Sequence, residues 1–147
     1  MSRRDDLPLE LTHRVRDACL CLHVQRAARA LARRYDEALR PAGLTSGQFS
    51  LLMSLNRPEP PNIARVSAVL GMDRTTLTAN VKPLERQGLV KVVPDAADGR
   101  SRHLKLTRKG RTRLLSAVPL WERAHAETER LVTRTADRLR GDLRRLS

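Results

Sequence analysis

The residues best suited to chemistry in this chain lie in a short charged loop, residues 98–102 (DGRSR). The runs on either side, 89–93 and 102–106, are typical of short strands, so the loop is the tip of a predicted β-hairpin. Two guanidinium groups at a hairpin tip can bind phosphates, and an arginine there can enter a narrow minor groove. The alternative is a merely solvated turn, but the pattern favours nucleic-acid contacts for Arg100 and Arg102.

A second set of polar side chains lies on one face of a predicted helix, about residues 74–87. On the opposite face, apolar residues recur at intervals of four and three residues, so this face is predicted to point toward the core. The polar face is suited to phosphates and base edges and comprises Arg74, Thr75, Thr76, Thr78, Asn80 and Lys82. Pro83 lies inside this helix and removes a backbone donor, so we expect a kink or an early tightening near Lys82.

A third set, Cys19, Cys21 and His23, lies in the first predicted helix. Two residues apart on a helix, Cys19 and Cys21 point to opposite sides, which disfavours a disulfide between them. Cys19 and His23 share a face at metal-pair spacing, but two ligands are too few for a structural zinc site without a partner chain. The interpretations left open are small core residues, oxidant sensing and, least favoured, metal binding. We expect no metal or other cofactor.

The composition favours a polyanionic partner. The chain has 147 residues, 29 Lys+Arg against 16 Asp+Glu, a formal charge of +13 and only 2% aromatic residues. This excess of positive charge favours nucleic acid over a solvated basic surface, and the scarcity of stacking side chains favours duplex DNA over single strands. A rival interpretation is an architectural or RNA-binding protein that binds through charge alone.

Enzymes, exported proteins and membrane proteins fit the sequence poorly. No glycine-rich phosphate loop, metal cluster or nucleophile–base pair stands out, so we expect no catalytic residue and no enzyme activity. Residues 1–10 lack the apolar segment of a signal peptide, and no apolar run reaches membrane-spanning length. The expected location is the cytoplasm, where the cysteines are reduced.

The elements that must position these residues are mainly helical. Residues 11–39 predict one helix that is apolar on two sides and is ended by a proline and a glycine. Residues 45–48 form a predicted capping box before a short helix. Asn62 and Asp73 then cap two helices separated by Gly71, which is the arrangement of a helix-turn-helix. The hairpin that follows makes it a winged helix-turn-helix.

Residues 108–146 are predicted to be helical and to carry an apolar seam at 4–3 spacing, formed by Val132, Ala136, Leu139, Leu143 and Leu146. With the doubly apolar first helix, this seam predicts a dimer interface in preference to an intramolecular core. The expected fold is mainly α with a small β-hairpin wing, in one domain over 1–147. The dimerisation helices are 11–40 and 112–147, and the DNA-binding lobe is 45–108.

The most specific stretch is LGMDRTTLTANVKPLERQGLVKVVPDAADGRSRHLKLTRKG, residues 70–110. It contains, in order, a recognition helix, a Gly-Leu-Val strand, an Asp-x-Arg wing, a Leu-x-Leu-Thr strand and a glycine. In this order, and over residues 12–146, the chain resembles the MarR family of bacterial transcriptional regulators. The resemblance implies an obligate intertwined homodimer whose recognition helices enter the major grooves of a pseudo-palindromic operator. Most members repress transcription and release DNA when a small ligand binds.

The resemblance also assigns roles to single residues of this sequence. Arg100 becomes the wing arginine that enters the minor groove, and Asp98 becomes a brace that pairs with a nearby basic group, while Gly99 permits the turn. One branch of the family senses hydroperoxides through a cysteine on the first helix, although the residues around Cys19 and Cys21 follow its pattern only loosely. By analogy, an inducer pocket for an unknown small molecule is bordered by His13, Tyr35, Met53, Trp121 and His125.

Overall fold

The computed structural model of the protein describes residues 7–147. Residues 1–6 lie outside this range. They belong to the segment that was expected to lack a signal peptide, and also to the start of the expected domain. Within it, the chain forms seven α-helices and one antiparallel hairpin. Their bounds are α1 Leu9–Ala18, α2 Leu20–Leu39, α3 Ser46–Ser54, α4 Ile63–Leu70, α5 Arg74–Arg86, β1 Val90–Pro94, β2 Arg102–Leu106, α6 Arg108–Glu129 and α7 Ala136–Leu146.

The first predicted helix is two helices, so the prediction of one continuous element over 11–39 was wrong. Cys19 is extended (φ −70°, ψ 110°) between α1 and α2. Its N–H still donates to the Val15 carbonyl at 3.0 Å, and its own carbonyl accepts the His23 N–H at 3.1 Å. No proline or glycine marks the break. Because α1 buries no side chain in its own chain, tertiary packing does not hold α1 and α2 together as one continuous helix.

Side-chain caps fix where the central helices begin. Thr45 and Gln48 form the expected capping box, in which the Thr45 hydroxyl accepts the Gln48 N–H at 3.2 Å and the Gln48 amide oxygen accepts the Thr45 N–H at 3.0 Å. Asn62 and Asp73 cap α4 and α5, and each accepts a backbone N–H at 2.8 Å. Gly71 is left-handed (φ 62°), which lets the chain turn between these two helices. The expected helix-turn-helix is therefore present.

One apolar core joins the central helices, the hairpin and the inner parts of α2 and α6. Leu77, Val81 and Leu84, the apolar side of α5, are buried in it. The largest fully buried side chains are Leu39, Leu51, Leu52, Leu77, Leu84, Leu89, Leu104 and Val66. The core therefore fixes one face of α5 and leaves the other face free.

The hairpin packs on the helix-turn-helix through both strands. β1 pairs with β2 so that Val90 lies opposite Leu106. We call this hairpin and its loop, residues 90–106, the wing. β1 begins one residue later than the predicted run. The Leu104 N–H donates to the Pro61 carbonyl at 2.9 Å, which ties the wing to the segment before α4. The base of the wing therefore belongs to the core, and its loop projects from it.

The C-terminal region is also two helices, which corrects the prediction of continuous helix over 108–146. α6 ends at Glu129 and α7 begins at Ala136, so Val132 of the predicted seam lies in the connection. The connection contains β-branched residues, which have low helix propensity. The Arg140 guanidinium spans it, since it donates to Glu129 and to Asp137, each at 2.7 Å.

The helices at the two ends of the chain bury nothing in this chain. Neither α1 nor α7 contains a buried residue. Their apolar side chains are exposed by 37% to 64% and comprise Leu9, Leu11, Val15, Leu139, Leu143 and Leu146. Within residues 7–147, no helix is long and apolar enough to cross a membrane. These open apolar faces coincide with the surfaces that the sequence assigns to a dimer interface.

Candidate nucleic-acid interface

One carboxylate fixes the start of α5. Asp73 Oδ1 accepts the Thr76 N–H at 2.8 Å, and Oδ2 accepts the Thr76 hydroxyl at 2.7 Å. These hydrogen bonds stabilise the charged carboxylate and lower the pKa of Asp73 below its usual range. The negative charge also lies at the positive end of the helix dipole. The first turn of α5 is therefore formed before any partner binds.

Three of the six predicted contact residues on α5 already use a donor inside the protein. The Thr78 hydroxyl donates to the Arg74 carbonyl at 2.8 Å, and the Asn80 amide donates to the Met72 sulfur at 3.4 Å. The Thr76 hydroxyl donates to the helix cap. The two threonine hydroxyls keep only their acceptors, whereas Asn80 keeps its amide oxygen and one of its two N–H donors.

The other three predicted contact residues, Arg74, Thr75 and Lys82, are exposed on α5. None of their side chains forms a hydrogen bond or ion pair with another residue of the described range. Helical structure continues past Pro83 to Arg86, so Lys82 lies within the helix, and the expected kink or tightening near it stays a prediction. All six predicted residues therefore lie on one helix, and the side chains of three of them make no polar bond within the described residues.

Sequence reasoning missed two exposed residues of the same face, Ala79 and Arg86. At about 100° per residue, Ala79 follows Thr75 by one turn and Arg86 follows Lys82 by one turn. Helical periodicity was the signal that could have found both. Ala79 was passed over because it carries no polar group, and Arg86 because it lies in the last turn.

The wing adds a pair of cations that sequence reasoning also missed. Lys91 and Lys105 lie directly opposite each other on the two strands, and both are exposed. Like charges in this position destabilise a hairpin. Neither ammonium group pairs with a carboxylate among the residues that the structure describes. The strand register, which composition does not reveal, is what brings the two charges together.

Asp98 braces the wing loop, but not through the ion pair expected from the family. Its Oδ1 accepts the Arg100 N–H at 3.0 Å and its Oδ2 accepts the Ser101 hydroxyl at 3.3 Å. It forms no ion pair within residues 7–147. Gly99 has no positive φ, so the expectation that the turn needs a glycine was also wrong. The carboxylate shapes this turn by capturing backbone and hydroxyl donors two and three residues ahead.

The two loop arginines have different surroundings. The Arg102 guanidinium donates to the Gly99 carbonyl at 3.0 Å and to the Ser101 carbonyl at 3.4 Å, so it closes the base of the loop. Arg100 is exposed at the tip, and its guanidinium forms no bond with any other described residue. All guanidinium donors of Arg100 are therefore free to bind an outside group, whereas one guanidinium nitrogen of Arg102 is already engaged within the loop.

Cys19, Cys21 and His23 lie at the junction of α1 and α2. Cys19 is half-buried, Cys21 is exposed on α2, and both are free thiols. His23 Nδ1 lies 2.8 Å from the Cys19 carbonyl oxygen, so the ring contacts the backbone. Because Cys19 lies outside both helices, the argument that the two thiols point to opposite sides of one helix does not apply. Among the described residues, no cluster of three or more potential metal ligands occurs.

Two adjoining cavities lie against Trp121 of α6. One has a volume of about 400 Å³ and includes Phe49 and Met53 in its lining. The other has a volume of about 350 Å³ and includes Tyr35. The Trp121 ring stacks on Phe49 at 6.0 Å and on His125 at 4.7 Å between ring centroids. Of the five expected pocket residues, Tyr35, Met53 and Trp121 line a cavity, His125 stacks behind it, and His13 lies on α1 and lines neither.

The chain is similar in sequence to known regulators. The sequence pattern of the MarR family matches residues 42–101. The transcriptional activatory protein BadR of Rhodopseudomonas palustris is 33% identical over 109 residues, which are 72% of this chain and 59% of BadR. The transcriptional repressor MprA of Escherichia coli K12 is 31% identical over 120 residues, which are 80% of this chain and 65% of MprA. The chain thus spans less than two thirds of the length of these relatives.

The fold is similar to that of a solved regulator over more of its length. The M. tuberculosis transcriptional regulator MosR, solved in complex with DNA, is 42% identical and superposes with a TM-score of 0.81 over 87% of this chain and 92% of MosR. The mainly helical architecture with a two-stranded wing, predicted from the sequence, is confirmed. The family and these relatives are transcriptional regulators and not enzymes. This chain belongs to the MarR family of transcriptional regulators.

Proposed function

We propose that this protein is a sequence-specific regulator that binds double-stranded DNA as a homodimer. In each subunit, α5 enters a major groove of a pseudo-palindromic operator, and Arg100 enters an adjacent minor groove. The bound dimer represses transcription in the cytoplasm, and a small molecule releases it from the operator.

The main support for DNA binding is that one lobe carries two basic surfaces without internal partners. Arg74 and Lys82 are exposed on α5, and Arg100 is exposed at the wing tip. The Asp73 cap and the Asp98 brace hold both surfaces in shape beforehand, which reduces the ordering cost of binding. Phosphate contacts from such groups position a protein on DNA, and base contacts then specify the site.

The open apolar faces of α1 and α7 support the homodimer. Leu139 is 37% exposed, Leu143 42% and Leu146 64%, on one stripe of α7. Apolar area in contact with water costs roughly 25 cal/mol per Å², so covering such a stripe is favourable. A second copy offers the same stripe. Twofold symmetry of the protein then requires two symmetric half-sites in the operator.

The cavities beside Trp121 support release by a small molecule. Their walls include α2, α3 and α6, so an occupant contacts the central lobe and the long C-terminal helix at once. A ligand that fits one arrangement of these helices better than another shifts the protein toward that arrangement. The expected consequence is a change in the spacing of the two α5 helices.

Selection from a random duplex library tests the claim of sequence-specific binding. The full-length protein should enrich a site with two symmetric half-sites and bind it at least a thousandfold more tightly, in rough terms, than a scrambled duplex at the same salt. An architectural or RNA-binding protein that binds through charge alone would show steep salt dependence and enrich no site. That outcome contradicts the proposal.

The sign of regulation needs its own measurement, because BadR is named an activatory protein and MprA a repressor. Transcription in a purified system from a promoter that overlaps the selected site should fall when the protein is added. A rise in transcript would contradict repression and leave DNA binding intact.

A redox-sensing repressor is the second candidate function, and the helix break at Cys19 favours it. Because Cys19 lies outside both helices and Cys21 is exposed, helical geometry does not keep the two thiols apart. Hydrogen peroxide should then lower the operator affinity of the wild type but not that of Cys19→Ser or Cys21→Ser. An unchanged affinity of the oxidised wild type would eliminate this candidate.

A further inference from the structure

The exposed side of α5 is built from three parallel rows of side chains. In an α-helix, residues four apart lie almost in line and form a ridge. The rows, in order around the helix, are Arg74-Thr78-Lys82-Arg86 (the basic row), Thr75-Ala79-Pro83 (the small row) and Thr76-Asn80.

The small row lies near the centre of the face that points away from the core. Three apolar side chains of α5 are buried on the opposite side. Successive residues lie about 100° apart around the helix axis. The direction that points directly away from the three buried side chains therefore passes between Thr75 and Ala79. Both of these residues are exposed, and Pro83, slightly further round the helix, is half-buried. The exposed Arg86 lies between Thr75 and Ala79 in this direction, in the last turn, so a partner that approaches α5 meets the small row together with the end of the basic row.

The small row offers methyl and methylene groups in place of long polar side chains. Ala79 presents one methyl group, Pro83 presents a ring without an N–H, and Thr75 presents a methyl group beside its hydroxyl. In the next row, the Thr76 hydroxyl donor and one of the two Asn80 N–H donors are bound within the protein. The helix can therefore lie close to the floor of a major groove. The apolar feature of base edges there is the 5-methyl group of thymine.

We infer that the small row reads thymine methyl groups in the major groove while the basic row binds phosphates beside it. This assignment rests on the proposed function. It adds how a half-site is selected, because the small row favours a half-site that has an A·T pair opposite Ala79. The basic row contributes affinity for any sequence. Pro83, which interrupts the helical donors, extends the apolar surface by one turn.

Removal of methyl groups from the DNA tests this assignment without any change to the protein. In the duplex obtained by selection, each thymine of a half-site is replaced in turn by deoxyuridine, which lacks only the 5-methyl group. One buried methyl group corresponds to roughly a fourfold change in affinity. The affinity of the full-length protein should fall by about this factor at one or two positions, and by about its square when both half-sites are changed.

A protein–DNA double-mutant cycle assigns the contact to Ala79. Ala79→Gly weakens α5, but this cost is the same for thymine and deoxyuridine duplexes and cancels in the cycle. The deoxyuridine effect should disappear in Ala79→Gly. It should persist in Ala68→Gly, a matched change at an exposed alanine of α4. A deoxyuridine effect that is undiminished in Ala79→Gly overturns the assignment.

The other outcomes separate this assignment from the proposed function. If the protein binds its selected duplex specifically but no thymine replacement lowers affinity, methyl reading is overturned and the DNA-binding proposal stands. A selected half-site that contains no thymine overturns it as well. If selection enriches no site, the proposed function itself fails one step earlier.

Discussion

The central lobe, residues 45–108, and the terminal helices α1 and α7 carry similar apolar stripes but differ in what they bury. Leu52 and Leu77 of the lobe are 0% exposed, whereas Leu139 and Leu146 of α7 are 37% and 64% exposed. The lobe completes its core within one chain, and the terminal helices do not. An apolar pattern in a sequence therefore indicates that a face is covered, but not whether the same chain covers it.

The helices at the N-terminal end differ from those of the lobe in how they begin. The helices α3, α4, α5 and α6 each have a side-chain cap that accepts a backbone N–H. Of the terminal helices, α7 has one as well, from Thr135, whereas α1 has none, and neither has α2. Local hydrogen bonds thus fix where the helices of the lobe begin, whereas α1 and α2 begin without a side-chain cap. The stability of the terminal helices should accordingly depend on protein concentration, and that of the lobe much less.

The largest effect is expected from charges placed in the α7 seam. In the variant Leu139→Glu/Leu143→Glu, two carboxylates would be buried in the proposed interface without partners, so the dimer should dissociate. The loss of simultaneous binding to two half-sites should lower operator affinity by about a hundredfold or more. Sedimentation velocity measures the first effect, and fluorescence anisotropy measures the second.

The matched control for the seam is Arg144→Glu, which places a carboxylate on the opposite face of the same helix. It should remain a dimer. If the seam variant also sediments as a dimer, or if both variants dissociate, the apolar face of α7 is not the interface and the difference between the two regions has another cause.

Two glycines provide the next test, Gly110 of α6, which packs against the hairpin of the lobe, and Gly141 of the terminal helix α7. A Cβ atom at Gly110 would collide with the Leu89 carbonyl oxygen and the Leu106 side chain, whereas nothing lies within 4 Å of one at Gly141. Gly110→Ala should therefore lower the free energy of unfolding by about 1–3 kcal/mol. Gly141→Ala, in the open helix α7, should raise it by about 0.5–1 kcal/mol. Urea denaturation measures both, and a change of the same sign would contradict the contrast in packing.

The sequence predicted the lobe well because its signals act over short distances. Thr45, Asn62 and Asp73 each cap a backbone N–H three residues ahead, so residue type and spacing were sufficient. The break at Cys19 has no such signal, because neither a proline, a glycine nor a side-chain cap marks it. The interruption before Ala136 was hidden by a 4–3 apolar pattern that continued across a non-helical segment.

The candidate site was predictable in residue type but not in bonding. Arg100 and Lys82 were found from charge and position. That Asn80 donates to Met72 and Arg102 donates to Gly99 depends on rotamers and loop shape, which the sequence does not encode in a readable form. Chemistry-based reasoning is also insensitive to a residue that contributes only a methyl group, which is why Ala79 was missed.

A smaller effect is expected at the wing tip. Arg100→Ala should weaken operator binding by about 1–3 kcal/mol, because one groove contact is lost. The free energy of unfolding should not change, since the side chain has no partner in the described range. Arg102→Ala should loosen the loop, because two hydrogen bonds to its carbonyl oxygens disappear. Anisotropy titrations at fixed salt compare the two, and unchanged affinity in Arg100→Ala would remove its role as the minor-groove contact.

The smallest effect concerns two exposed carboxylates, one in each region. The pKa of Asp73 is lowered by hydrogen bonds from the Thr76 N–H and hydroxyl, and the pKa of Asp137 is lowered by the Arg140 guanidinium. Because both pKa values lie below those of the unfolded chain, each carboxylate contributes stability above about pH 3.9, which is lost as the pH falls through the folded value. The pH range is shared, but the causes differ.

Salt separates these causes. The partner of Asp137 is a charged group in water, so about 1 M salt should screen it and raise the pKa of Asp137 toward its ordinary value. The donors to Asp73 are neutral and in direct contact, so its pKa should rise much less. Carboxyl carbon shifts followed by NMR during titration measure both. If the two values rise equally, long-range charge holds Asp73 as well, and the start of α5 is not fixed by the local hydrogen bonds of its cap.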